Sequence, residues 1–349
     1  MSDALVAAVQ RNCDLSDAAH AQELSLCTYL LELREFFRWE RALPLDAAPD
    51  RAQVARWIAQ REALWRSLDE AAPGGFVDLP LSPPVAPFDE AAANESIAAL
   101  GLVYGAGIGR FGRHEFFLAE PLERTERDGA QVTVVGRELA RTMSPSIGTS
   151  RGTRIVVRSD VLRRWLWTRV EQARRTIAGD AFAQSLAAYG GPDAAAVEAM
   201  VAAQTEATIL HELGELRAAR LVGEDWERML GAVENRRTEL VLRAVRDLLA
   251  DFLLTLPALA DRDDRPSLHF WFSNLQGMRR QLAPGLRATY DAWRRGDRTA
   301  LAGAIEQGAA QWQATARSLL EAWRGGGIAA LDALSDEISG AVRSEPRPA

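Results

Sequence analysis

Apolar positions recur every three to four residues along most of the chain, and the places where that rhythm stops define its organisation. Residues 18–41 set Leu24, Cys27, Leu30, Leu31, Leu33, Phe36 and Phe37 on one side, which predicts a helix closed by Pro44. Asp50 followed by Gln53 is a capping-box spacing that opens a second helix to about residue 71, with Val54, Trp57, Ile58, Leu64, Trp65 and Leu68 at a period near 3.6. Prolines at 73, 80, 83, 84 and 87 make the next stretch a connector. From about 96 to 158 short β-favouring runs, such as 131–135 and 154–158, alternate with glycines. Beyond Asp160 the helical period returns and persists, at about 161–178, 181–189, 193–222, 224–232, 236–259, 267–282, 284–294, 298–323 and 328–342. The expected fold is mainly α: a multi-helix bundle-like body with a small α/β or β-ribbon insertion. Three regions follow, namely 1–93 (helices and Pro-rich connector), 94–158 (the small mixed unit) and 159–349 (the C-terminal helical domain).

The longest predicted helix carries the most specific chemical signal. At ~100° per residue, Gln204, Thr208, His211 and Glu215 share one narrow stripe. Val197 and Met200 flank it and Ile209, Leu213 and Leu216 lie on the far side, so the helix is apolar over most of its circumference and is expected to be buried. Buried polar groups need partners, because each unpaired one costs ~1–3 kcal/mol. His211-Glu212-x-x-Glu215 has the spacing by which a His-Glu-x-x-His helix offers two ligands to zinc, with a carboxylate in place of the second histidine. Zinc, iron and manganese all accept such a pair. A buried His–Glu pair that only sets helix register is the structural alternative.

A second polar stripe, His269, Ser273, Gln276 and Arg280, lies on the predicted 267–282 helix. If the stripes face one another, His269 becomes a third ligand and Arg280 an anion contact. Glu32 or Glu35, and Asp247 or Asp251, are further carboxylate sources, although Glu239, Arg243, Asp247 and Asp251 read first as an ion-paired helix face. A third signal is Gly107-x-Gly109-x-x-Gly112, a dinucleotide-loop spelling. The short preceding strand and Pro121 favour a plain glycine turn instead.

Composition narrows the chemistry further. None of the 41 basic residues is lysine, which removes P-loops, pyridoxal Schiff bases and every lysine-dependent nucleophile. Two cysteines and four histidines exclude a disulfide framework and a Cys-rich zinc cage. The net charge of −7 argues against general nucleic-acid binding. Apolar runs fall short of a membrane span, and no secretory signal opens the chain, so a cytoplasmic location is expected.

The segments 29–40, 110–119, 162–167, 211–215 and 267–272 together resemble a bacterial family of about this length that carries no assigned function. The resemblance implies one architecture over nearly the whole chain and no activity. The residues therefore carry the functional expectation: a metal-dependent, His-Glu-x-x-Glu type hydrolase with His211, Glu215 and His269 as ligands and Glu212 as base. Gln204, Thr208, Ser273, Gln276, Arg280 and Glu35 would surround the site. The competing expectation is a helical scaffold or regulator whose buried stripes are structural.

Overall fold

The computed structural model describes residues 2–20, 23–71, 75–109, 112–173 and 180–341. Three N-terminal helices, α1 (Ser2–His20), α2 (Leu26–Glu40) and α3 (Arg51–Ala71), precede a short α4 (Glu90–Ile97) and the sheet. The predicted 18–41 helix is thus α2 alone, started by Ser25, whose hydroxyl accepts from the Thr28 amide. The predicted Asp50 cap is present, with its carboxylate accepting from the Ala52 amide. Helix α1 was not anticipated. Its Leu5, Val9 and Cys13 pack beneath the sheet against Leu79, Tyr104, Phe116 and Leu118.

The insertion is a five-stranded curled sheet: β1 (Val103–Ile108), β2 (His114–Arg127), β3 (Ala130–Arg141), β4 (Gly148–Arg151) and β5 (Arg154–Arg158), in the order β1-β2-β3-β5-β4. Only β3 and β5 pair in parallel. The dinucleotide reading fails here. Gly107 lies within β1, and the residues from His114 onward form an antiparallel partner strand where a cofactor loop would lead into a helix. Gly105 and Gly107 instead accommodate side chains packed on the strand: an ideal Cβ would fall 2.1 Å from the Phe117 ring and 1.8 Å from the Arg151 guanidinium respectively. Residues 110 and 111, in the middle of that spelling, lie outside the described residues.

The remaining helices are α5 (Ser159–Ala173), α6 (Ala181–Ala188), α7 (Ala194–Val222), α8 (Asp225–Ala232), α9 (Arg236–Ala250), α10 (Leu256–Asp261), α11 (Arg265–Ser273), α12 (Gly277–Leu282), α13 (Leu286–Arg294) and α14 (Arg298–Ala341). Mainly α with a small sheet insertion is the architecture. Residues 174–178 and 342, the predicted ends of two helices, fall outside the described residues. Two departures matter for function. The predicted 236–259 helix is interrupted by a π-helical turn, Asp251–Thr255, between α9 and α10. The predicted 267–282 helix breaks between α11 and α12, where Gly277 adopts φ 54°, and its cap is Asp264 in place of Ser267.

Helix α7 is central. Ile209 and Leu213 pack on Val132, Val134, Ile155 and Val157 of the sheet, while Leu210, Ala218 and Val222 join the large C-terminal core. At Gly214 it packs tightly on the α9 backbone, since a Cβ there would lie 2.4 Å from the Ala250 carbonyl oxygen. Backbone cannot move aside as a flexible side-chain end can. Gly214→Ala is therefore expected to destabilise the protein by about 1–3 kcal/mol through overpacking, despite gaining ~1 kcal/mol of helix propensity. Urea denaturation measures it; a neutral or stabilised variant would refute the close approach.

Candidate metal centre

The π-helical turn and the glycine contact set the geometry of the polar stripe on α7. A π turn rotates the residues that follow it relative to an α-helix and leaves the ladder locally rearranged, a feature often found at functional sites. Here it begins at Asp251, whose side chain is 2% exposed and points at α7. The Asp251 Oδ1 lies 2.8 Å from Nδ1 of His211, and its Oδ2 accepts from the Arg279 guanidinium at 2.5 Å. Burial alone would favour a neutral carboxyl, but the Arg279 and His211 charges hold Asp251 down at about 2.

With Nδ1 engaged, His211 presents Nε2 to Glu215, whose Oε1 is 3.7 Å away one turn along α7. Asp247, one turn before Asp251 on α9, completes the group. One ligand atom from each of His211, Glu215 and Asp247 lies within 4.8 Å of the others, and all three residues are half-buried. Zinc-type donors at ~2.1 Å from an ion sit about 3.4 Å apart at tetrahedral angles, so small side-chain rotations close the group around one cation. Without an ion the same atoms form an ion-paired network. Burial opposes a charged His211, yet Asp251, then Glu215 and Asp247, hold its imidazolium up to about 10. Burial raises the Asp247 carboxyl, against the pull of His211.

Glu212 lies beside this group. It is buried against β4, where a Cβ on Gly148 would lie 2.5 Å from its Oε1 and 2.8 Å from the Thr208 methyl. Burial, and then the neighbouring Glu215 charge, push its carboxyl up to about 7. Ser150, two residues along β4, donates to Glu215 Oε2 at 3.5 Å. Arg246 reaches Glu215 at 3.4 Å and Glu227 at 3.1 Å. The site is thus assembled from α7, α9 and the π turn, with an edge strand of the sheet as one wall.

The expected surroundings are only partly gathered. His211, Glu212 and Glu215 are together. Thr208 lies beside Glu212 but donates its hydroxyl to the Gln204 carbonyl, and Gln204 donates to Ser267 Oγ at 3.2 Å. The third member of the metal-capable group is Asp247, not His269. His269 Nδ1 is hydrogen-bonded to the Tyr290 hydroxyl at 2.9 Å, and its ring packs on Trp293. Burial and the Arg265 and Arg294 charges push it down to about 4. The helix break at Gly277 separates the remaining stripe residues. Ser273 donates to the Phe270 carbonyl, and Gln276 and Arg280 are exposed. Arg279, its neighbour, is the arginine that reaches the site. Glu35 pairs with Arg34 on α2, which also holds Glu171.

Asp247 and Asp251, offered as further carboxylate sources but read first as rungs of an ion-paired face, join the His211 group across the α7–α9 packing, which spacing along one helix cannot reveal. Of that ladder only the Glu239–Arg243 pair forms as expected. Ser150 was missed altogether, though Gly148-Thr-Ser150-Arg-Gly152 spells Gly-x-Ser-x-Gly. That spelling marks a hydrolase nucleophile only on a strand-to-helix turn. Here it spans an edge strand and the turn into β5, with Arg151 and Arg154 paired across it.

Among the described residues no helix is long and apolar enough to cross a membrane. No curated protein and no solved structure matches the chain. Two family models do match it: the N-terminal domain of a family of unknown function, DUF6866, over residues 4–158, and the C-terminal domain of the same family over 163–341. Helix α7 thus falls in the second match and its β4 wall in the first, and a chain matched by both from near its start to near its end belongs to this family of unknown function.

Proposed function

We propose that His211, Glu215 and Asp247 bind one divalent cation and that the protein is a metal-dependent enzyme, most simply a hydrolase. One observation carries this reading: Asp251 engages Nδ1 of His211, leaving Nε2 directed toward two carboxylates. Carboxylate–histidine–metal relays use this arrangement, in which the outer acid fixes the tautomer and raises the ligand's basicity. Mixed nitrogen and oxygen donors suit zinc, iron or manganese. Three protein ligands leave coordination positions for solvent and substrate. Glu212, held near neutrality beside Glu215, is the proposed general base, since a base works best when its pKa lies near the operating pH. The thiols Cys13 and Cys27 suit a reducing, cytoplasmic setting.

The charge balance accommodates the cation. Four carboxylates, Glu212, Glu215, Asp247 and Asp251, face two arginines, Arg246 and Arg279. With all four ionised, a divalent cation with neutral His211 balances them; with Glu212 protonated, a proton on His211 does so. The second reading, a helical scaffold or regulator, is favoured by the fact that Arg246, Arg279 and protonated His211 already pair these acids.

Elemental analysis of protein purified without a His-tag or chelator separates the two. About one equivalent of zinc, iron or manganese is expected, lost in His211→Ala and in Asp247→Asn while circular dichroism is unchanged. A wild-type protein that neither carries nor takes up any of these metals refutes the proposal.

A further inference from the structure

Side chains alternate along β4, so Gly148 and Ser150 face α7 while Thr149 and Arg151 face into the curl of the sheet. A narrow cleft, partly open to solvent, lies there. Its polar lining is Glu90, Glu115, Thr149, Arg151 and Arg154, and Gly105, Ala106, Phe117 and Val156 complete it. The cavity is on the reverse side of the strand from the His211 group and shares no side chain with it.

Its donors are under-used. The Arg151 and Arg154 guanidiniums share a single oxygen, Glu90 Oε2, at 3.4 and 3.8 Å. Charge-assisted N–H···O bonds are ~2.7–2.9 Å, so both contacts are loose. Glu115 does not compete for these arginines, because Arg158 and both the amide and hydroxyl of Ser146 hold it. The backbone adds a donor. Asn94 bonds both the N–H and the C=O of Tyr104, so those groups point out from the edge of β1, and by the two-residue alternation the groups of Ala106 do the same. Gly107 keeps the floor low enough for Arg151 to lie across it.

We propose that this cavity is a binding site for a small oxyanion, a phosphoryl or carboxylate group, held by Arg151, Arg154 and the Thr149 hydroxyl in the place that Glu90 loosely fills. Two arginines facing one displaceable carboxylate leave a net positive site, and planar guanidinium forks match either oxyanion. The proposal stands independently of the metal reading.

Calorimetric titration of the full-length, metal-free protein with inorganic phosphate and, separately, with malonate tests it, at constant ionic strength set by sodium chloride. Saturable binding of at least one of the two is expected, and the one that binds identifies the oxyanion. Arg154→Gln should weaken it about tenfold, the loss of one charge-assisted contact. Glu90→Gln should strengthen it by removing the resident competitor. Gly107→Ala should weaken it while leaving every charge in place, because the new methyl displaces Arg151. No binding of either anion by wild-type protein, or binding that survives unchanged in both Arg154→Gln and Gly107→Ala, overturns the site.

Discussion

Asp251→Ala is expected to cost the metal-free protein about 3–5 kcal/mol, the range for removing one partner from a buried ion pair. The substitution strips His211 and Arg279 of their common carboxylate at once. Burial makes that loss large, because water reaches the vacated position poorly and Arg279 cannot discharge. The pH profile carries the same information with a definite sign. Asp251 sits at about 2 in the fold, below the ordinary carboxylate value of ~3.8. Its stabilisation is therefore present above about pH 4 and lost as pH falls toward 2. His211 sits at about 10, above its ordinary ~6.5. Its contribution is complete below about pH 6.5 and declines as pH rises to 10. Urea midpoints measured from pH 3 to 10 should show both arms in the wild type and a much flatter alkaline arm in Asp251→Ala. Superimposable profiles would show that the pair does not hold.

Metal binding should have the opposite pH dependence, which makes the two effects separable. A cation at Nε2 must displace the proton that Asp251, Glu215 and Asp247 hold on His211 up to about 10. Below that value each unit of pH should raise metal affinity about tenfold, hence about 100-fold from pH 6 to pH 8, with close to one proton released per ion bound. Manganese or zinc titrations at several pH values, with proton release read in two buffers of different ionisation enthalpy, check this. An affinity independent of pH, or one unchanged in His211→Ala, would place the ion elsewhere. Apo stability falling and metal affinity rising over the same alkaline range is a combination that the scaffold reading does not produce.

Some of this was legible in advance because it depends on neighbours along one helix. The 3.6 period put Gln204, Thr208, His211 and Glu215 on one stripe, and apolar residues around most of α7 announced its burial. Capping residues such as Asp180 and Asp193 marked helix starts through bonds to amides three positions away. His269 was chosen as third ligand on the premise that the stripe of 267–282 faces the stripe on α7. His269 faces Tyr290, which satisfies it, and Trp293, while the left-handed Gly277 further on parts Arg280 from the rest of the stripe. The ladder on 236–259 gives way to tertiary partners as well: Asp251 pairs with His211 and Arg279, and Asp247 joins the His211 group, where i,i+4 spacing had given an ion-paired face.

By itself the sequence determined the mainly helical class, the small β insertion, the absence of lysine chemistry and the polar stripe carrying His211 and Glu215, with Glu212 beside it. All of these follow from composition or from contacts within one turn. Only the tertiary structure decided what completes the stripe. Asp247 and Asp251 come from a helix about 40 residues further on, Ser150 from a strand about 60 residues before, and the cavity behind that strand from the two edges of one sheet. Periodicity constrains which face a residue occupies, whereas the partner of that face depends on how closely two backbones approach, and here Gly214 against Ala250 and Gly148 against Glu212 set those distances.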